Sequence, residues 1–385
     1  MSKRKKVLIA YATAGIGHKK AATAIKEALL ARGADLDVKL VDVLDYTKPF
    51  FKKAYPNTYL FLISHLVHIW GFLYHFLNFR VIYPLFYPIR KLSHVLNGPG
   101  LIKFLREYRP DIVVSTHFLL PDICDYVKRE YSKNGTKIGM RVVNVITDYR
   151  VHSFWISPSV DIYIAGHEDT MRDLVRKWRI PPERVKIMGI PVEPKFYIRH
   201  EKDSIREKLG IPRRSFTVLV TSGGYGVGPI FEILETLNKA SFPLTAITVC
   251  GHNEKLFAEV EDFSKKAKIH VVNLGYADNI DELLASSDIC IGKAGGISTT
   301  EAFCQGVPFI FIRPIPGQER RNADLFARAG CGFRLGSVAG ILNVVEKLHS
   351  SPEKMKTLKE NIRRAKKPDP AFAIAEFIEA LAKKA

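Results

Sequence analysis

The sequence predicts an α/β protein built from two doubly wound parallel sheets. Three observations carry that expectation. Short apolar runs alternate with helix-period stretches along most of the chain. A loop of small residues follows the first strand-like run of each half. The alternation breaks once, at Gly189-Ile-Pro-Val-Glu-Pro194, and then begins again. At 385 residues the chain has room for two cores, given roughly 150 residues per domain.

In the first half, residues 5–11 read as a strand, 18–32 as a helix stopped by Gly33, and 36–43 as a second strand, which is a βαβ opening. Strands follow at 111–115, 140–147, 161–165 and 185–188, with helices at 121–131 and 167–178. The second half repeats the rhythm. Strands are expected at 216–221, 245–250, 269–274, 288–292 and 308–312, and helices at 253–266, 279–286, 298–304 and 319–329. Pro368-Asp369-Pro370 interrupts the terminal helices, so the last one, from Ala371, is free to pack back on the first domain. The expected domains are therefore 1–194, with 371–385 joining it, and 195–370. They should face a shared cleft, because open parallel sheets bind ligands at the carboxyl ends of their strands.

One segment departs from this rhythm. Residues 54–79 contain no Asp, Glu, Lys or Arg but hold Tyr55, Tyr59, Phe61, Trp70, Phe72, Tyr74, Phe76 and Phe79. The run exceeds the roughly 20 residues that span a bilayer, yet His65, His68 and His75 lower its hydropathy. Three readings stay open: a span, a buried helical pair, and an aromatic face resting in the headgroup region with Lys52, Lys53, Arg80, Arg90 and Lys91 beside it.

The net charge is +19 with pI near 9.6, so the surface should attract an anionic partner, although charge alone does not select among nucleic acid, lipid headgroups and phosphorylated substrates. Five widely spaced cysteines without a C-x-x-C pair suit a reducing compartment and argue against a zinc knuckle or a disulfide framework. The basic start runs straight into a strand, so export is not expected.

Three motifs carry chemistry. Ala12-Thr-Ala-Gly15-Ile-Gly17-His18 is a loop opening a helix, where free amides favour an anion and His18 can accept a proton near neutral pH. Its glycine spacing also allows a dinucleotide site with Asp42 on the ribose. Thr221-Ser-Gly223-Gly224-Tyr-Gly-Val-Gly228 repeats the device. In the third, Gly295 and Gly296 lead into Ser298 and Thr299 at a helix start, a cradle for a diphosphate. Glu301 lies one turn further, fit for ribose hydroxyls, and Gln318 and Glu319 offer groups to another polyol. Diphosphate, ribose and sugar together describe a nucleotide sugar. Asp148 and His152 follow a strand end with Trp155 nearby; Asp148 can orient His18 or serve as the base, and His152 can position an acceptor.

These blocks resemble the family 28 glycosyltransferases of the GT-B fold. Within them they are similar to the diacylglycerol glycosyltransferases, comprising the processive diacylglycerol glucosyltransferases and the monogalactosyldiacylglycerol synthases. The resemblance runs over nearly the whole chain: the His18 loop with Ala21-Ala22, Thr147-Asp148-Tyr149-Arg150-Val151-His152 with Trp155, Gly251-His-Asn, Leu274-Gly-Tyr276, Lys293-Ala-Gly-Gly, and Pro316-Gly-Gln-Glu with Asn322-Ala. The chain departs from the pattern in a sparser glycine loop and in Ala294, where many relatives have proline. The resemblance implies a UDP-hexose, UDP-glucose or UDP-galactose, held by Gly223, Gly224, Tyr276, Gly295, Gly296, Ser298, Thr299, Glu301, Gln318 and Glu319. It implies a diacylglycerol acceptor met by Gly17, His152 and Trp155, with His18 or Asp148 as the base. It further implies inversion and no essential metal. Taken with the charge, the cysteines and the aromatic segment, the expectation is membrane glycolipid as the product, no cofactor, and a peripheral place on the anionic cytoplasmic face of the cell membrane with no nucleic acid partner. Transfer of N-acetylglucosamine to a polyprenyl-linked lipid, a nucleotide-sugar sensor without turnover, and a dehydrogenase are the alternatives.

Overall fold

The computed structural model describes residues 4–13, 15–136, 139–221, 223, 226 and 228–384. The chain divides into two compact units: residues 1–194 with 316–318 and 367–385, and residues 195–315 with 319–366.

Unit 1 contains a six-stranded parallel sheet, β1 (Lys5–Tyr11), β2 (Leu36–Asp42), β3 (Ile112–Ser115), β4 (Arg141–Val145), β5 (Ile162–Ala165) and β6 (Val185–Ile187), in the order β2-β1-β3-β4-β5-β6. Both faces are covered, so the inner strands read as continuous apolar runs: Val7, Leu8, Ile9 and Ala10 are all fully buried. Its helices are α1 (Ile16–Ala31), α2 (Pro49–His65), α3 (Val67–Leu77), α4 (Tyr83–Asn97), α5 (Pro99–Tyr108), α6 (Leu119–Lys133) and α7 (Glu168–Arg172), the last continuing as one π-helical stretch, Asp173–Lys177.

Unit 2 has a second parallel sheet of six strands, β7 (Phe216–Thr221), β8 (Leu244–Val249), β9 (His270–Leu274), β10 (Ile289–Gly292), β11 (Phe309–Ile312) and β12 (Gly332–Leu335). The order β12-β11-β10-β7-β8-β9 is the nucleotide-binding order 3-2-1-4-5-6. Strand β12 escapes the sequence reading because Gly332-Phe-Arg-Leu335 is a short edge strand, only partly buried. The helices are α8 (Lys202–Lys208), α9 (Ile230–Leu237), α10 (Glu254–Ser264), α11 (Ile280–Ser286), α12 (Gly296–Cys304), α13 (Gln318–Arg328), α14 (Ile341–His349) and α15 (Pro352–Ala365).

The last helix, α16 (Pro370–Lys383), belongs to unit 1. Asp369 caps it, accepting from the amide of Phe372 at 3.2 Å. Its Ala371, Ile374, Ala375 and Ile378 share a core with Ala22, Ala24, Ile25 and Ala28 of α1. The alanines among them let two helices lie close beneath the sheet, and Arg32 pairs with Glu379 at 2.7 Å at the rim.

The anomalous segment belongs to a helical insertion, α2 to α5, between β2 and β3. No helix among the described residues is long and apolar enough to cross a membrane; α2 and α3 reach that composition only together, and they meet at a bend of 114°. The pair is not buried either. Ile69, Phe72, Leu73 and Phe76 on α3, and Leu85, Ile89, Leu92 and Leu96 on α4, all lie exposed, at spacings that place each set on one helix face.

The inner face of the insertion is bolted to α6 and to the loop after β4 by polar groups. Arg90 is 6% exposed. It donates to both carboxylate oxygens of Asp122 at 2.8 and 3.0 Å, and to the carbonyls of Ser153, Phe154 and Ile156 at 3.3, 2.9 and 3.0 Å. His94 Nδ1 meets the same carboxylate at 2.9 Å, and Lys91 pairs with the buried Asp125. A buried ion pair persists only with its remaining hydrogen bonds met, and five bonds meet that condition for Arg90. The expectation that Arg90 and Lys91 face an anionic surface is thereby overturned. Both point inward as anchors of α4, leaving Lys52, Lys53 and Arg80 as the exposed cations of that group.

Candidate active site

In unit 1 the strand order reverses at β1, which lies between β2 and β3, and the loops after β1 and β3 meet there. Helix α1 starts after Gly15, which is extended (φ −176°), and no side chain caps its first turn. Its leading amides are therefore unclaimed by the helix, with Gly17 among them. His18 follows, half-buried. Its Nδ1 lies 2.6 Å from the carbonyl oxygen of Thr116 and 3.3 Å from the hydroxyl of Thr147. A carbonyl only accepts, so Nδ1 carries the hydrogen and Nε2 presents a lone pair. Burial lowers the pKa of His18 to about 4, with the Thr116 bond opposing, so the ring is neutral at pH 7. His117 packs edge-on against it at 4.8 Å, and burial, then His18, His94 and Arg90, push His117 well down in turn.

The remaining unit 1 residues take up different positions. Asp148 is half-buried in the loop after β4, but the groups that hold His18 are Thr116 and Thr147, not this carboxylate. His152 is 2% exposed. Its Nε2 donates to the carbonyl of Tyr74 at 2.8 Å while Nδ1 accepts from the amide of Phe154 at 3.2 Å. With both nitrogens engaged by the backbone, His152 fastens α3 to the loop instead of meeting an acceptor. Trp155 is buried in the core, its ring 6.1 Å from His18, and forms a wall behind the imidazole. Asp42, the dinucleotide candidate, is occupied: it accepts from the amide of Leu44 at 3.0 Å and binds the hydroxyl of Thr13. That removes the ribose ligand from the dehydrogenase reading.

In unit 2 the order reverses between β7 and β10. The ends of these two strands run so close that a Cβ on Gly292 would stand 2.5 Å from the carbonyl of Thr221. Gly223 has a positive φ of 75°; Gly224 lies outside the described residues. Gly226 also has a positive φ, and a Cβ there would strike the Cys250 carbonyl at 2.2 Å. Asn253 donates to its carbonyl at 3.2 Å while capping α10 through the amide of Leu256 at 3.0 Å. Gly226 is thus held against the turn after β8, where His252 stacks on Tyr276 at 4.5 Å. Tyr276 is 50% exposed, an aromatic shelf fit for a planar base.

Helix α12 begins after Gly295 with no side-chain cap. Gly296 is buried there, Ser298 is half-buried, and the fully buried Thr299 hydroxyl lacks a hydrogen-bond partner. Uncapped amides with an unpaired hydroxyl suit an anion such as a diphosphate. Glu301 lies one turn further on and is 4% exposed. Asn322 braces the loop from α13, donating to the Ala294 carbonyl at 3.0 Å. Glu319 accepts from the amide of Ile315 at 3.0 Å. Lys293, given no role by the sequence reading, is half-buried there, and burial lowers its pKa while Glu319 opposes. Gln318, grouped with unit 1, donates to the hydroxyl of Tyr59 at 3.0 Å, and its Oε1 is buried without a partner.

Thr116 and His117 are the site residues that sequence reasoning missed, and Thr147 enters it only as the start of a motif, with no role. The available signal was their place at the carboxyl ends of the strands neighbouring β1.

Two parallel sheets with glycine-bearing loops at their switch points are the architecture of the GT-B glycosyltransferases. Solved structures agree in fold. MurG from Acinetobacter baumannii matches with a TM-score of 0.61 at 13% identity, covering 98% of this chain and 99% of that one. Anabaena Alr3699/HepE in complex with UDP and glucose matches with 0.59 at 13%, covering 99% and 100%. Residues 18–192 match the family model of monogalactosyldiacylglycerol (MGDG) synthase, and residues 217–376 that of the glycosyltransferase family 28 C-terminal domain. The processive diacylglycerol beta-glucosyltransferases of Bacillus cereus and Bacillus pumilus are 29% and 28% identical, over 98% and 94% of this chain and 94% and 91% of theirs. The chain belongs to the diacylglycerol glycosyltransferases of family 28.

Proposed function

We propose that the chain transfers a hexose from UDP-glucose or UDP-galactose to the free hydroxyl of diacylglycerol, with inversion, as a peripheral enzyme on the anionic cytoplasmic face of the cell membrane. The observation that carries this reading is in unit 1. A neutral imidazole with a bare Nε2 stands at the sheet's switch point, and the adjoining loop is bolted to helices whose outer faces are apolar and exposed. The names of the Bacillus relatives support the lipid acceptor and the hexose, and the Anabaena complex supports the UDP donor.

In the reaction, Nε2 of His18 takes the acceptor hydroxyl's proton as the oxygen attacks the anomeric carbon from the face opposite UDP. The bond from that carbon to the diphosphate breaks, and its electron pair goes to the phosphate oxygen. Unit 2 meets the growing negative charge with the leading amides of α12 and the hydroxyls of Ser298 and Thr299. Glu301 takes ribose hydroxyls and Tyr276 offers its ring to uracil, while Gln318 and Glu319 face the hexose hydroxyls.

The test is UDP release on diacylglycerol vesicles with each donor, followed by identification of the lipid product. Tight UDP binding without release from either donor would favour the sensor. For the donor site, Glu301→Ala should weaken UDP by about 1.5 to 3 kcal/mol through loss of charge-assisted bonds. Calorimetry on folded protein checks this, and unchanged affinity takes Glu301 off the ribose.

A further inference from the structure

We propose that the side-chain hydroxyl of Thr147 is a positioning group for His18, sharing the Nδ1 hydrogen with the Thr116 carbonyl and so keeping Nε2 as the nitrogen that takes the proton. The inference rests on His18 being the base. It starts from geometry: the short approach of the Thr116 carbonyl, 2.6 Å from Nδ1, fixes the hydrogen on that nitrogen, and the Thr147 oxygen at 3.3 Å can then only accept a share of it. Thr147 is 6% exposed and follows β4, and Thr116 follows β3. The Thr116 amide binds the Ala10 carbonyl at 3.0 Å, and its hydroxyl binds the main-chain carbonyl of His18 itself at 2.8 Å. Two neighbouring strands therefore grip the first turn of α1, one by ring and main chain, the other by ring alone.

The grip is uncharged. The titratable ring packed on His18 is His117; behind it stand His94, Arg90 and Asp122 on α4 and α6 and Tyr55 on α2, its ring 6.0 Å from His117, while Asp148 is the carboxylate next to Thr147 in the chain. A neutral holder orients the imidazole in both protonation states and raises its basicity less than a carboxylate would. When Nε2 takes the proton, the Nδ1 hydrogen becomes more positive and its bonds tighten, so loss of one acceptor weighs on the protonated form.

Thr147→Val should therefore lower kcat about three- to ten-fold, leave both KM values in place, and move the acid limb of the kcat profile to lower pH. Thr147→Ser, which keeps the hydroxyl, should restore both. Nitrogen-15 spectra of the histidine rings, assigned by difference against His18→Ala, should show the Nδ1-protonated tautomer at pH 7 in the wild type. A wild-type limb and kcat in Thr147→Val, a Ser variant no better than Val, or the Nε2-protonated tautomer would overturn the proposal. The base reading fails separately: it falls if His18→Ala keeps its turnover, whatever the tautomer.

Discussion

Replacing His18 with alanine lowers turnover by about 10²- to 10⁴-fold and leaves UDP affinity unchanged, the range expected when a positioned general base is removed. UDP affinity should hold because the diphosphate and ribose groups are assigned to unit 2. The wild-type pH profile supplies a second expected result. Burial, opposed by the Thr116 bond, sets the pKa of His18 at about 4. The ring works as a base only when neutral, so activity should be flat through neutral pH and fall as pH drops through that value. An ordinary solvated histidine would lose activity already near 6.5. Turnover within a few-fold of wild type in His18→Ala would transfer the role to Asp148, the other group near a strand end able to accept the proton. An acid limb near 6.5 on folded protein would show that the imidazole is solvated in the working enzyme.

Much of this frame is legible in the chain because buried parallel strands leave a plain signature. Val7 to Ala10 and Phe309 to Ile312 are apolar without interruption, and the loops after them carry the glycines and polar groups of the site. What resists reading depends on which strands become neighbours. Thr116 and Thr147 hold His18 only because β3 lies beside β1 and β4 beside β3, a relation among residues about a hundred positions apart. The same cause misleads over charge. Arg90 and Lys91 next to an aromatic segment look like a basic collar, but Asp122 and Asp125 on α6 draw them inward. His152 suggests ligand chemistry by type, yet the fold uses both of its nitrogens to hold Tyr74 and Phe154.

That inward turn of Arg90 changes what should hold unit 1 to a membrane. From Tyr46 to Arg106 the chain has no acidic residue, and its exposed cations include Lys52, Lys53 and Arg80, with Lys52 shared with Asp45 at 2.8 Å. Each cation near an anionic bilayer contributes on the order of 1 kcal/mol, screened over about 8 Å at physiological salt. Phe72, Phe76, Leu85 and Ile89 each offer about 1.5 to 3 kcal/mol if fully withdrawn from water. Half of the sum over the four, about 3 to 6 kcal/mol, matches or exceeds the roughly 3 kcal/mol of the three cations, so apolar contact should be the larger part and salt the smaller lever. Replacing those four residues with serine should reduce sedimentation with anionic vesicles by at least about 100-fold, and raised salt should reduce the wild type by less than that substitution does. Their side chains face outward, so the variant should fold and bind UDP as the wild type does, and His18→Ala should keep full vesicle binding. Wild-type sedimentation of the serine variant would remove this face from the membrane. Wild-type protein that stayed with the bilayer through alkaline extraction would mean that the bent pair α2 and α3 enters it more deeply than an interfacial contact allows.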